Sequence, residues 1–403
     1  MDDLRHWIWL SGRAPSPGRW LPRVLDRFGT ATAVWEAPPS ECDRIDDVPP
    51  RVRQALKDKD LHQAEAIYYR CERLGLRLMT YRDADYPARL AALDEPPCLL
   101  YVQGTLPPID EEPIVAVVGA REATGYGTAV ARRLAYGLTR QGATVVTGTA
   151  RGIDAAALRG ALRAGGRPIA VLGNGVDVPY PSYHADLYEQ IAARGALIGE
   201  YPPGTPPYGK HFPVRNRILA GLALGVVVVE GTEHSGSLIT ARWAQAEQRD
   251  VFAVPGPLDA PMSRGPNKLI HDGTARLIRG VEDILEEYAE AWPGKLRRLP
   301  TEPREDDRRP APPRRTDRAP APERPPERPA PRPTAKLDEV TGTDEERTIV
   351  QALAQADRTV DELVQATDLP VRRILTTLTM LQVRQVVEEG PGKRFRLAVE
   401  LEG

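Results

Sequence analysis

Along this chain the apolar positions change their period. Up to about residue 75 they recur at helical spacing: Leu21, Val24, Leu25 and Phe28 share one face, and Gly29 stops that helix. Thr30 is placed to cap a following helix that carries Ala33 and Val34. A second pair of helices is expected over 50–57 and 59–74, ended by Gly75. Short helices joined through glycine fit two readings: a SAM or helix-hairpin-helix unit that grips a nucleic-acid backbone, or a small packing domain. From Leu76 the pattern turns to short runs rich in β-branched residues. Strands are expected at 76–80, 98–102, 114–118, 143–147, 168–172, 196–199, 226–230 and 251–254. From the third strand onward helical segments alternate with them, over 126–141, 153–164, 183–193, 215–223 and 237–248. Nearly continuous apolar strands are what a sheet covered on both faces requires. The fold class is therefore α/β: an extended Rossmann-like, doubly wound parallel sheet over 76–290, with an N-terminal helical domain over 1–75.

The pattern breaks again at 291–336. About a third of the chain's 40 prolines stand there, interleaved with Arg and Ala, so no core forms and a semi-extended linker is expected. Beyond it, helices at 344–356, 359–367 and 370–384 precede a strand, the turn Gly390-Pro391-Gly392 and a second strand. Three short helices and a β-hairpin describe a C-terminal winged helix within 337–403. Arg372, Arg373, Lys393, Arg394 and Arg396 suit DNA there, but Asp361, Glu362, Glu388 and Glu389 dilute them, and a protein partner fits as well.

In a doubly wound sheet ligands sit at the carboxyl ends of the strands, so the loops there carry the chemistry. After the third strand come Gly119, Arg121, Thr124 and Gly127; the glycine allows a tight turn, and helix-terminal amides then face an anion. After the next come Gly148, Arg151 and Gly152, with Asp154 placed to cap a helix, and then Gly173 in Gly173-Asn174-Gly175. The segment 210–217 packs Lys210, Phe212, Arg215, Asn216 and Arg217 together. A further loop offers Ser235, Gly236, Ser237 and Thr240 at another helix start. The Gly119–Gly127 loop has neither GxGxxG nor Walker A spacing, which argues against a dinucleotide. A row of anion-binding loops along one rim suits a chain of phosphates. Phe212 fits a base-stacking platform in a basic groove or a core aromatic before Pro213. Arg215 and Arg217 fit phosphate contacts or ion pairs with Glu200 or Glu230.

Composition adds three limits. With a net charge of −2, any nucleic-acid surface must be local. The three cysteines are far apart without a CxxC, so free thiols in a reducing cytoplasm are expected, with no disulfide framework and no metal site. The charged start is not a secretory signal, and no apolar run reaches the ~20 residues that span a bilayer.

Taken together the loops resemble the DprA (Smf) family. The resemblance rests above all on Phe212-Pro213-Val214-Arg215-Asn216-Arg217-Ile218 and Ser235-Gly236-Ser237-Leu238-Ile239-Thr240, and extends through Tyr86-Pro87 and Glu95-Pro96-Pro97 to the winged helix. It implies single-stranded DNA binding by the Rossmann-like domain, protection of internalised DNA and RecA loading in natural transformation and homologous recombination. It also implies a homodimer in the cytoplasm, RecA recombinase and a single-stranded DNA-binding protein as partners, no cofactor and no catalysis. The chain departs from the family's usual residues: Ala120 and Thr147 stand for Ser, Leu158 for His and His184 for Asn. Ala120 loses a hydroxyl donor to phosphate; Thr147 keeps one.

Two rival functions remain. One is a nucleotide N-glycosidase built on Glu230; against it, Pro255-Gly256-Pro257 interrupts the Pro-Gly-Gly loop of such enzymes, and no Ser–His–Asp set or HExxH motif is present. The other is a regulator acting on duplex DNA through the winged helix alone.

Overall fold

The computed structural model describes residues 3–13, 19–297, 334–390 and 394–401. Most of the Pro-rich stretch, the turn at 391–392 and Lys393 lie outside them. The described residues divide into two compact units, one before residue 305 and one after it.

The first unit is organised by a nine-stranded sheet. Its strands are β1 (Arg77–Thr80), β2 (Leu99–Gly104), β3 (Ile114–Val118), β4 (Thr144–Thr147), β5 (Ile169–Leu172), β6 (Ala196–Gly199), β7 (Gly225–Val228), β8 (Asp250–Ala253) and β9 (Arg276–Leu277). Their order across the sheet is β1-β2-β6-β5-β4-β3-β7-β8-β9. From β6 to β9 all neighbours are parallel, while β1 and β2 add an antiparallel edge. The chain winds outward from β3 to β6, then returns to lay β7 against the other side of β3. That reversal is the topological switch point, where loops leaving β3 and β7 part to opposite faces. Eight of these strands stand where the hydrophobic runs put them; β9 has two exposed residues and offers no run to read.

Alternation within the strands sorts the two faces. Val115, Val117, Val145 and Val227 point to one, against helices Gly125–Arg140 and Ile153–Arg163 and the segment through Ile284 and Tyr288. Ala116, Val118, Val146 and Val226 point to the other, against helices His211–Leu222 and Ser237–Ala246. The N-terminal helices complete the first face. Trp7, Leu10, Leu21 and Val24 share one apolar core with Leu99 and Tyr101 of β2, Leu172 of β5, and Leu158 and Leu162. Their apolar stripe is buried against the sheet, as the packing reading of residues 1–75 expects. Leu158, where the resemblance leads one to expect His, lies fully buried in that core and away from solvent.

The second unit is a winged helix. Helices Asp344–Gln355, Val360–Thr367 and Val371–Val383 enclose Ile349, Leu353, Leu363, Ile374 and Leu378 under the hairpin Val387–Gly390 and Arg394–Leu397. Thr343 and the Thr359–Glu362 capping box fix two helix starts. Its cations are largely spent: Arg373 pairs with Glu345, Arg394 with Glu362 at 2.9 Å and Arg396 with Glu388 at 2.8 Å. The third helix instead turns Val371, Leu375, Met380 and Val383 outward.

Because the N-terminal helices and the sheet share a core, they should unfold together. Leu10→Ala, at a fully buried position, should cost about 2–5 kcal/mol. It should also speed amide exchange in β5 and β6 as much as in its own helix. Acceleration confined to residues 3–75 would mean the helical region is an independent body.

Candidate nucleic-acid interface

The switch point opens into a cleft of about 470 Å³ at the carboxyl ends of β3 and β7. Gly119, Ala120 and Arg121 form one wall, and Ser235, Gly236, Ser237 and Thr240 the opposite one. Phe212, Arg215 and Asn216 enter from the helix His211–Leu222, and Asp154 lies at the floor. Nine of the DNA contacts expected from the sequence thus meet in one place, although they come from three separate stretches of the chain.

The helix expected over 215–223 starts four residues earlier, so segment 210–217 is helical from His211 on. It forms the first two turns of His211–Leu222, with Pro213 in the first turn, where its missing N–H costs nothing. Helical geometry turns Arg215 and Arg217 to roughly opposite sides, about 200° apart at 100° per residue. Arg217 is therefore removed from the expected set of DNA contacts. It is 1% exposed, bonds Glu200 at 2.7 Å and the carbonyl of Glu95 at 2.8 Å, and ties the helix to the sheet. Lys210 sits exposed just before the helix and is not among the residues lining the cleft.

Phe212 is half-buried and belongs to none of the four apolar cores of the described residues, which separates it from an ordinary core aromatic. Arg121 and Arg215 both place their guanidinium carbons near its ring, 5.1 and 5.9 Å from the centroid. Gly173 lies beneath the ring; a Cβ there would stand 3.1 Å from it. The ring is a platform that orients two cations. Of these, Arg121 is exposed, whereas Arg215 is buried. Arg215 bonds the carbonyl of Val171 and gives its Nε–H to Asn216 at 3.1 Å; Asn216 in turn reaches the carbonyl of Gly236 at 3.4 Å. Gly148 makes room below: a Cβ there would lie 2.5 Å from Asp154 and 2.8 Å from the Arg215 guanidinium.

Asp154 is not the cap expected from its position. The cap residue is Gly152, held at φ +81° by its approach to the carbonyls of Ala120 and Arg121, and Asp154 stands in the first turn, buried. Burial pushes its carboxyl up to about 6, against the opposing pull of Arg215.

The first loop differs from expectation in what it binds. Thr124 caps helix Gly125–Arg140 by accepting from Gly127 at 3.1 Å, and both its N–H and its hydroxyl donate to the buried Glu230, at 2.9 and 2.6 Å. Gly127 is a glycine because a Cβ would run into that carboxylate. The anion at this helix start is thus internal: Thr124 is spent on it, and the Gly127 N–H on Thr124. Glu230, weighed above as a hydrolytic group, has both oxygens engaged. Arg151 is exposed and pairs with Glu122; the Thr147 hydroxyl donates to the carbonyl of Val117 at 2.6 Å. By contrast, the start of helix Ser237–Ala246 has no side-chain cap. The hydroxyl of Ser237, 7% exposed on the cleft wall, has no hydrogen-bond partner among the described residues.

The family model for DNA recombination-mediator protein A matches residues 77–289, and the model for the DprA winged helix domain matches 318–393. Protein Smf of Synechocystis sp. is 34% identical over 79% of this chain and 80% of its own length. The chain belongs to the DNA recombination-mediator protein A family. A second relative of that family, DNA processing protein DprA of Bacillus subtilis, is 40% identical over 54% of this chain and 72% of its own. The crystal structure of DNA processing protein A from Streptococcus pneumoniae superposes with a TM-score of 0.62 at 32% identity, covering 71% of this chain and 99% of that one. No helix among the described residues is long and apolar enough to cross a membrane, and no group of three or more His, Cys, Asp or Glu among them is placed to hold a metal ion.

Sequence reasoning missed the Glu230 latch and the buried Asp154, because their partners lie far away in the chain: Thr124 is 106 residues from Glu230. Asp154 yields a measurable consequence. Its folded-state pKa stands above the ordinary 3.8, so the folded protein holds that proton more tightly. The stability this gives is full below pH 3.8 and is lost as pH rises through about 6. Asp154→Asn should remove that loss, so the gap in melting temperature between wild type and variant should change between pH 4 and 6.5. A constant gap would contradict the assignment.

Proposed function

We propose that this chain binds single-stranded DNA, without strong sequence preference, along the cleft at the switch point. It protects the strand and loads RecA recombinase onto it during natural transformation and homologous recombination. It acts as a homodimer, with a single-stranded DNA-binding protein as a further partner, in the cytoplasm, and it catalyses no reaction. Family membership and the motifs quoted above support the roles in RecA loading and transformation and the homodimer.

The observation that carries DNA binding is the pairing, across one cleft, of a cation-bearing aromatic platform with an uncapped helix start. The exposed Arg121 guanidinium, backed by Phe212, offers a plane for a base and a fork for a phosphate. Opposite it, the amides at Gly236 and Ser237 and the unpartnered Ser237 hydroxyl suit a phosphate oxygen. Arg215 supports this set from below: it fixes Phe212 and Asn216 and adds positive potential to the floor. The N-glycosidase reading is weakened by Glu230, whose carboxylate is held by Thr124.

Phe212→Ala should weaken binding to single-stranded DNA by about 1–3 kcal/mol, and Phe212→Tyr should restore most of it. Arg121→Ala should flatten the salt dependence of binding by about 0.7 in log–log slope, and Arg121→Lys should keep the slope but recover little affinity. Filter binding or anisotropy across a salt series, with melting temperatures alongside, measures all four. Wild-type binding by a folded Arg121→Ala variant would remove this cleft from the DNA site.

A further inference from the structure

Between residues 125 and 167 the chain holds seven arginines, no lysine and a single carboxylate, the buried Asp154. In a protein with 54 basic and 56 acidic residues, where surface charges ordinarily mix, this is a segregation of sign. The segment folds into helices Gly125–Arg140 and Ile153–Arg163, which lie side by side on one face of the sheet, both starting at the rim beside the cleft.

Three close contacts run down the seam between them. Gly152 meets the carbonyls of Ala120 and Arg121 at the rim, Gly160 meets the carbonyl of Arg132 midway, and Gly166 meets the side chain of Thr139 at the far end. Arginines stand at or next to each contact along the chain: Arg121 and Arg151 at the first, Arg132 and Arg159 at the second, Arg140 and Arg167 at the third. Arg133 and Arg163 flank the middle pair, and all of these side chains belong to exposed residues. Arg151 and Arg159 have acidic partners, Glu122 and Asp186. The other five in the segment make no ion pair among the described residues. The result is an electropositive track that begins at the cleft and extends along a 16-residue helix, about 24 Å at 1.5 Å per residue.

Resting on the cleft reading above, we infer that this track carries the continuation of a single DNA strand beyond the cleft. The occupant is a phosphate backbone. Within 125–167 the exposed charges are all of one sign, they continue the rim, and the large apolar side chains exposed there are two tyrosines, Tyr126 and Tyr136, too few for the apolar core of a protein interface.

The test is the full-length variant Arg133→Gln/Arg140→Gln/Arg163→Gln/Arg167→Gln, compared with wild type on oligothymidylates of about 6 and about 24 nucleotides. Binding of the short oligomer, which fills only the cleft, should be unchanged. Binding of the long one should weaken, with its salt slope flatter by about 2.8, four contacts at about 0.7 each. An unchanged long-oligomer slope would overturn the track and leave the cleft reading intact. Equal weakening of both oligomers would also overturn it, since the arginines would then act as a general field. Loss of binding to poly-L-glutamate with strand binding intact would assign the face to an acidic protein segment and overturn it likewise. Failure of wild type to bind either oligomer would instead be failure of the cleft reading itself.

Discussion

Two helices leave the switch point in opposite directions, and each presents free backbone amides to the same rim. Glu230, at the end of the segment that follows β7, turns its carboxylate onto the first of them, helix Gly125–Arg140, through Thr124. That latch has two effects. It joins the β3 and β7 loops across the reversal, so the cleft walls are held at a fixed separation. It also satisfies one helix start from within, whereas the start of Ser237–Ala246 faces the cleft without a side-chain cap. The rim therefore does not act as a uniform row of anion sites. It combines an internal anion, the open start of Ser237–Ala246 and a cation pair set on Phe212.

The floor follows from the same economy. Arg215 is a buried cation whose partners are a carbonyl, an amide oxygen and, through space, Asp154. An isolated buried charge is costly, and here it is shared among groups that close the bottom of the cleft. Positive potential at the floor and an exposed guanidinium at the mouth need no net positive charge on the protein, which agrees with a chain of nearly balanced composition.

Much of this was legible in the sequence, and the part that was not has a common cause. Strand runs such as 114–118 and 196–199 are apolar throughout because both faces are covered, so their existence and order could be read directly. The glycine-bearing loops announced the rim. What periodicity did not reveal was direction. The helix read at 215–223 starts four residues earlier, at His211, and its winding sends Arg215 to the cleft and Arg217 to Glu200. Thr124 reads as an anion ligand, which it is, but the anion is a side chain 106 residues away, and Gly127 only leaves room for it. The N-terminal helices showed their apolar stripe, while its partner, the face formed by β2, β5 and β6, could be known only from the packing. The two-residue edge strand β9 has no buried side chain to betray it.

The central claim is that a phosphate chain in single-stranded form occupies the switch-point cleft of the full-length protein. Its most direct test is a salt-titrated competition between single-stranded and duplex DNA of equal length. The account predicts tighter binding of the single strand at every salt concentration. It also predicts a log–log salt slope that is a multiple of about 0.7 per contact, retained when residues 334–403 are deleted. Preference for duplex that disappears with the winged helix would contradict it.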